Sequence, residues 1–194
     1  LVRCLMELGG NDPLFVLPDA DLDRAVATAI AHRFEIAGQS CAAVKKLYLH
    51  EDIADAFVER LVPAVKAVRT GDPLSETTDM GPVIDEQAAA IVSERIAATL
   101  AGGARLLAGG RRERALVEPT VIAGVEPDAP VIADETFGPV IAIRTFRDAG
   151  RAIEEVNAGA YGLQAGVFTN DHAIVKQFSR KLDVGGVMIN EGPD

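Results

Sequence analysis

From Asp19 to Asn190 the chain alternates short apolar runs with amphipathic segments of helical period, and no other feature restricts its fold as much. Asp19 or Asp21 can cap a helix running toward Phe34, with Leu22, Val26, Ala29 and Ile30 on one stripe. "KKLYLH" then reads as a short strand ending near His50. Residues 52 to 68 return to a helical period through Ile53, Phe57, Leu61, Val65 and Val68, and Pro63 predicts a bend or a break within them. "TGDPLSETTDMGP" is rich in turn residues and reads as a loop. A further helix from about Asp85 carries Ile91, Val92, Ile96 and Leu100, and Gly102-Gly103 stops it. "ARLLAGG", "LVEPTVIAGV" and "GPVIAIRTF" read as strands, residues 148 to 157 as a helix, and "LQAGVFT" as a strand. Asp171 starts a helix through Phe178 to Leu182, and "GGVMIN" returns as a strand. The first residues read as the middle of a strand. This order predicts an α/β fold: a layered domain with a largely parallel sheet flanked by helices. The 194 residues suit one domain with a sizeable core.

Charge narrows the partners. The chain has 19 basic against 29 acidic residues, a net −10, which argues against nucleic acid and anionic membrane. "RRER" at 111 to 114 is the one dense basic cluster and reads as a solvated loop. No apolar stretch approaches the roughly 20 residues of a membrane span. "LVRCLMELGG" lacks a basic leader, a long apolar region and a cleavage pattern, so a cytoplasmic location is expected. Cys4 and Cys41 can in principle pair, but nothing else suggests a disulfide scaffold. No metal-ligand spacing links them to His32, His50 or His172, so no metal is expected.

Three stretches carry candidate chemistry. "AGQSCAAVKK" sets Cys41 just after a Gly-Gln pair with two lysines behind it, where a substrate can reach the thiol and positive charge favours its thiolate. "MELGGNDP" follows Glu7 with a glycine pair that can turn tightly and leave the carboxylate beside a cleft. By itself Glu7 reads as a strand-end acid in water. "DETFGPV" places two acids before Phe137, Gly138 and Pro139, and alone reads as a turn before a buried strand. Gly102-Gly103 and Gly109-Gly110 do not make a strand–GxGxxG–helix unit, and there is neither a P-loop nor a GxSxG elbow.

In order, these stretches resemble the aldehyde dehydrogenase superfamily, whose catalytic domain carries Glu-Leu-Gly-Gly, then Gly-Gln-x-Cys, then Glu-x-Phe-Gly-Pro-Val. Here they stand as "ELGG" from Glu7, "GQSC" ending at Cys41 and "ETFGPV" from Glu135, with 34 residues between Glu7 and Cys41. "NAGAYGLQAGVFTND" and "VGGVMIN" are similar to later segments, so the likeness covers essentially the whole chain. The resemblance implies that Cys41 is the nucleophile toward an aldehyde, forming a thiohemiacetal and then a thioester. It implies that Glu7 activates the hydrolytic water, that Glu135 holds the ribose of the nicotinamide and that Phe137 supports its ring, with NAD or NADP as cofactor. Asn11 and Gln39 receive no chemical step. Residues 1–194 are accordingly expected to be the catalytic domain, without the preceding Rossmann-like cofactor domain and the C-terminal oligomerisation segment, and poorly active or inactive alone. The whole protein is expected to be a homodimer or homotetramer. Among members, the likeness is nearest to lactaldehyde, succinate semialdehyde and phosphonoacetaldehyde enzymes. Two other readings stay open: a cysteine hydrolase or acyltransferase, which needs a histidine base, and a non-enzymatic oligomerisation or binding module in which Cys41 fills a core.

Overall fold

The structure is a computed structural model that describes residues 2–193. Its first half runs β1 (Pro13–Val16), α1 (Leu22–Phe34), a short 3-10 segment (Glu35–Gly38), β2 (Lys46–His50), α2 (Glu51–Lys66) and α3 (Glu86–Ala101). Then come β3 (Arg105–Ala108), β4 (Arg112–Glu113), β5 (Leu116–Val117), β6 (Thr120–Ala123), α4 (Pro130–Ala133) and β7 (Val140–Phe146). The chain continues through α5 (Ala149–Asn157), β8 (Gln164–Phe168), α6 (His172–Lys181) and β9 (Gly186–Ile189). Seven strands form one sheet in the order β3-β6-β7-β2-β1-β8-β9, parallel throughout except where β3 meets β6. The α/β class and the largely parallel sheet match the sequence reading.

Both faces of the sheet are covered, which is why its strands read as apolar runs rather than alternating ones. On β1, Leu14 and Val16 face one core with Leu47 and Leu49 of β2 and Phe57 and Leu61 of α2. The intervening Phe15 and Tyr48 face the other, with Phe146, Val167 and Phe178. Phe15 stacks on Tyr48 at 4.9 Å and meets Phe178 edge-on at 4.8 Å, an arrangement that suits aromatic quadrupoles. Asp21 rather than Asp19 caps α1, accepting from Arg24 N at 3.1 Å. Asp19 instead accepts from Thr169 Oγ1 at 2.8 Å and Asn170 N at 2.6 Å, tying the end of β1 to the end of β8.

Several expectations change. Residues 2–12 carry no strand, and Val2, Leu5, Met6 and Leu8 are exposed, because no described backbone pairs with residues 2–8. Pro63 does not break α2. It sits on the exposed face of the last turns, where the Glu59 carbonyl it leaves unbonded can face water. Pro119 splits "LVEPTVIAGV" into β5 and β6. "RRER" contains the exposed two-residue strand β4, which pairs with β5, and is pinned to the start of α3, with Arg112 donating to Glu86 O at 3.0 Å and Arg114 pairing with the Glu86 carboxylate at 3.1 Å. Among the described residues no helix is long and apolar enough to cross a membrane.

Phe57 has no exposed surface and anchors α2 on the sheet. Phe57→Ala should destabilise the chain by about 3–5 kcal/mol in denaturant unfolding, from lost burial plus the cavity left behind. A loss below about 1 kcal/mol would contradict this packing.

Candidate active site

Strands β7, β2 and β1 lie side by side and parallel, with Pro13 level with Lys46 and Lys46 level with Ala142. The residues that enter these strands therefore meet at one end of the sheet. "ELGGND" leads into β1, the Cys41 turn into β2 and "ETFGP" into β7. Because β2 is central, the Cys41 turn lies between the other two. Sequence order alone hides this, since 94 residues separate Cys41 from Glu135.

The approach to Cys41 is strained. After α1 the chain passes through Ile36 (φ 49) and Ala37 (φ 55), a left-handed conformation costing about 1–2 kcal/mol for each such residue. Gly38 continues it at φ 74, and a Cβ there would stand 2.6 Å from Gly138 O, so the turn abuts the Phe137 loop. A Cβ on Gly10 would stand 2.5 Å from Cys41 O, which brings the glycine pair of "ELGG" against the backbone of the thiol residue. Such backbone strain persists only where the surroundings over-determine it, and it gathers at functional sites. Cys41 is half-buried, free, and makes no side-chain hydrogen bond among the described residues. Cys4 is free and exposed.

Glu135 joins the other two stretches. Its Oε1 accepts from Gly10 N at 3.0 Å and lies 3.4 Å from Lys45 Nζ, while Oε2 faces Gly9. Lys45 Nζ also donates to Cys41 O at 2.7 Å and Ser40 O at 2.9 Å. The backbone of Glu135 is held as well: its N–H donates to Tyr161 Oη at 3.2 Å and its carbonyl accepts from Arg95 Nη1. Arg33, fully buried on α1, donates through Nη2 to Thr136 O at 2.7 Å and to Gly138 O. One guanidinium thus holds the carbonyls on either side of Phe137, whose own side is 44% exposed. Burial without partners at Nε and Nη1 lowers the Arg33 pKa to about 9, with Glu135 opposing that shift.

Glu7 is placed differently. It is exposed and makes no hydrogen bond or ion pair among the described residues. Asn11 Nδ2 donates to Ile132 O at 2.7 Å, and Gln39 accepts from Ile84 N at 2.8 Å, so both pin backbone. Arg33 and Arg95 escaped the sequence reading, and Lys45 entered it only as one of two lysines behind Cys41. Arg33 had a usable signal: it stands four residues after Ala29 on the apolar stripe of α1, where a charge needs a buried partner. Among the described residues no group of three or more His, Cys, Asp or Glu is placed to hold a metal ion.

A model of the aldehyde dehydrogenase family matches residues 1–194. The chain is 41% identical over 191 residues to a sulfoacetaldehyde dehydrogenase of Neptuniibacter caesariensis, covering 98% of this chain and 42% of that protein. It is 42% identical over 193 residues to the NAD(P)+ succinate semialdehyde dehydrogenase Sad of Escherichia coli K12, with the same two coverages. A solved succinate-semialdehyde dehydrogenase from Burkholderia pseudomallei superposes with a TM-score of 0.94 at 38% identity, over 97% of this chain and 40% of that one. The glyceraldehyde-3-phosphate dehydrogenase GapN of Methanocaldococcus jannaschii, solved with NADP, gives 0.92 at 40% identity, over 96% and 40%. The chain spans about two fifths of the length of the curated relatives it matches.

Asp12, beside this cluster, gives the site a pH signature. Burial raises its carboxyl pKa from 3.8 to about 6, against the Gln164 N–H and the charge of Lys45. The folded chain therefore binds this proton more tightly than the unfolded one. That contribution is complete below pH 3.8 and is lost as pH rises through about 6. Asp12→Asn should remove it. The stability of the variant relative to the parent should rise by about 3 kcal/mol between pH 3.5 and 7.5 in denaturant titrations. A difference flat across that range would refute the shift.

Proposed function

The chain belongs to the aldehyde dehydrogenase family, and on that premise we propose that it is the catalytic domain of an enzyme oxidising small acidic or polar aldehydes to carboxylic acids with NAD(P)+. The convergence of the three entry loops at one end of β7, β2 and β1 is the observation that carries this reading. Cys41 is the nucleophile: its thiolate sulfur bonds to the aldehyde carbon, giving a tetrahedral thiohemiacetal. NAD(P)+, when bound, accepts the hydride from that carbon. The C–S bond remains as a thioester on Cys41. Glu7 takes a proton from the water that attacks the thioester, the C–S bond breaks, and the acid leaves with Cys41 free again. Glu7 suits this task because nothing among the described residues holds its carboxylate, and three residues, at most about 11 Å of extended chain, separate it from Gly10, which abuts the Cys41 carbonyl.

The residues present fit the nicotinamide end of the cofactor. Glu135 keeps 19% of its side chain exposed and commits Oε1 to Gly10 and Lys45, leaving Oε2 as an acceptor for ribose hydroxyls. Phe137 offers an exposed ring two residues away on the same clamped loop. The proposed substrate class rests on relatives named for sulfoacetaldehyde, succinate semialdehyde and lactaldehyde. A cysteine hydrolase would need a histidine base, yet His32 Nδ1 is engaged by Pro193 O and His50 Nδ1 by Asp52 N. The whole protein is proposed to be a homodimer or homotetramer.

In the full-length protein, Cys41→Ala should lower aldehyde oxidation by at least about a thousandfold without lowering the unfolding temperature. Near-parental turnover in that variant would end the assignment. Glu7→Gln should leave a rapid burst of NAD(P)H and slow the steady state about a hundredfold, since deacylation then lacks its base. Glu135→Gln should slow the burst itself. Equal slowing of burst and steady state by Glu7→Gln would move Glu7 to thiol activation instead. For the 194-residue chain alone, isothermal titration should find NAD(P)+ binding weaker than micromolar, because the chain contains no glycine-rich loop opening a helix for the pyrophosphate.

A further inference from the structure

Lys45 is the point at which two parts of the site share one charge. Its side chain has no exposed surface. The ammonium carries three protons and no acceptor, and it is surrounded by more oxygen than those protons can satisfy. Cys41 O lies at 2.7 Å, Ser40 O at 2.9 Å, Ala43 O at 3.4 Å and Glu135 Oε1 at 3.4 Å. The first three belong to the turn that carries the thiol, and the fourth to the loop that carries Phe137. We propose that Lys45 is a positioning residue that couples the two loops: the more strongly its ammonium is drawn to Glu135, the less of its charge and hydrogen bonding is left for the Cys41 turn. This rests on the reading of Cys41 as nucleophile and Glu135 as cofactor ligand.

The surrounding charges fit that role. Burial and Arg33 lower the Lys45 pKa to about 8, while Glu135 and Asp12 oppose them, so the amine is still largely protonated at neutral pH. The charges that face Lys45 are Arg33 from α1, Asp12 from the entry to β1, Glu135 from the entry to β7, and Lys46, which follows in β2. A ligand that hydrogen-bonds to Oε2 of Glu135 draws on the negative charge of the same carboxylate that answers Lys45 through Oε1. Engagement of a ribose at Glu135 is thereby passed to the backbone of Cys41 through one atom, without any movement of the sheet.

The test reads thiol reactivity, so it needs neither cofactor nor aldehyde. Alkylation of Cys41 by iodoacetamide at pH 7 is followed in full-length parent, Lys45→Met, Glu135→Gln and the double variant, with Cys4 replaced by Ser in all four. Lys45→Met should slow alkylation about fivefold, since the ammonium that holds the Cys41 and Ser40 carbonyls fixes the turn presenting the thiol and is lost. Glu135→Gln should speed it about threefold in the parent and change it less than about 1.5-fold in the Lys45→Met background, the signature of a coupled pair. Lys45→Arg should restore the response to Glu135→Gln. Equal effects of Glu135→Gln in both backgrounds would overturn the coupling, as would a Lys45→Met variant that loses thermal stability yet alkylates at the parental rate. Should Lys45→Met not fold, Lys45→Gln takes its place in the cycle with the same expected outcomes. Coupling found in a protein that fails to oxidise aldehydes would leave this inference standing and remove the functional reading; additive effects in an active enzyme would do the reverse.

Discussion

A cation buried between three loops has to be answered by oxygen, and the arrangement of this molecule's active end follows from that requirement. Lys45 and Arg33 together bring two positive charges below the surface. Leaving either uncompensated would cost several kcal/mol. One carboxylate, Glu135, and the carbonyls of Ser40, Cys41, Thr136 and Gly138 meet them. Each of those oxygens lies on a loop, so satisfying the charges fixes the loops. The backbone must come close to do so, which explains why Gly10 and Gly38 stand at the points of nearest approach.

The scaffold makes this affordable because it separates packing from chemistry. Two apolar layers, one under α1 to α4 and one under α5 and α6, hold the strands without help from the site. The entry loops of β7, β2 and β1 are then free to carry strain and polar groups. Their location is unusual for an open α/β sheet, where ligands generally sit beyond the carboxyl ends of the strands. Here the converging loops precede the strands. Within the cluster the contacts are graded: the Glu135 backbone is held by Arg95 and Tyr161, Cys41 by its carbonyl, and Glu7 by nothing among the described residues.

Periodicity made most elements legible, since a helix with Ile53, Phe57, Leu61 and Val65 on one face has few alternatives once a sheet must be covered. Local chemistry leaves Pro63 and "RRER" incompletely described: the helix continues through the proline, where an unbonded carbonyl meets solvent, and the exposed arginines find Glu86, 26 and 28 residues away in chain but adjacent in space. The exposed run of residues 2–8 read as strand for the same reason: apolar spacing describes what a segment can do, whereas a strand also needs a neighbour with free backbone groups.

By itself the sequence determined the α/β class, the apolar periods of its helices and strands, and three short motifs whose order resembles that of the aldehyde dehydrogenase family. Those properties are local or depend on order along the chain, so they survive without coordinates. Only the tertiary structure decided which of the three motifs touch. Parallel pairing of β7, β2 and β1 brings Gly10, Cys41 and Glu135 together across up to 125 residues. It also recruits Lys45, Arg33 and Arg95 and decides which oxygens answer them. A charge becomes structural when it is buried, and burial is a property of the fold rather than of the residue.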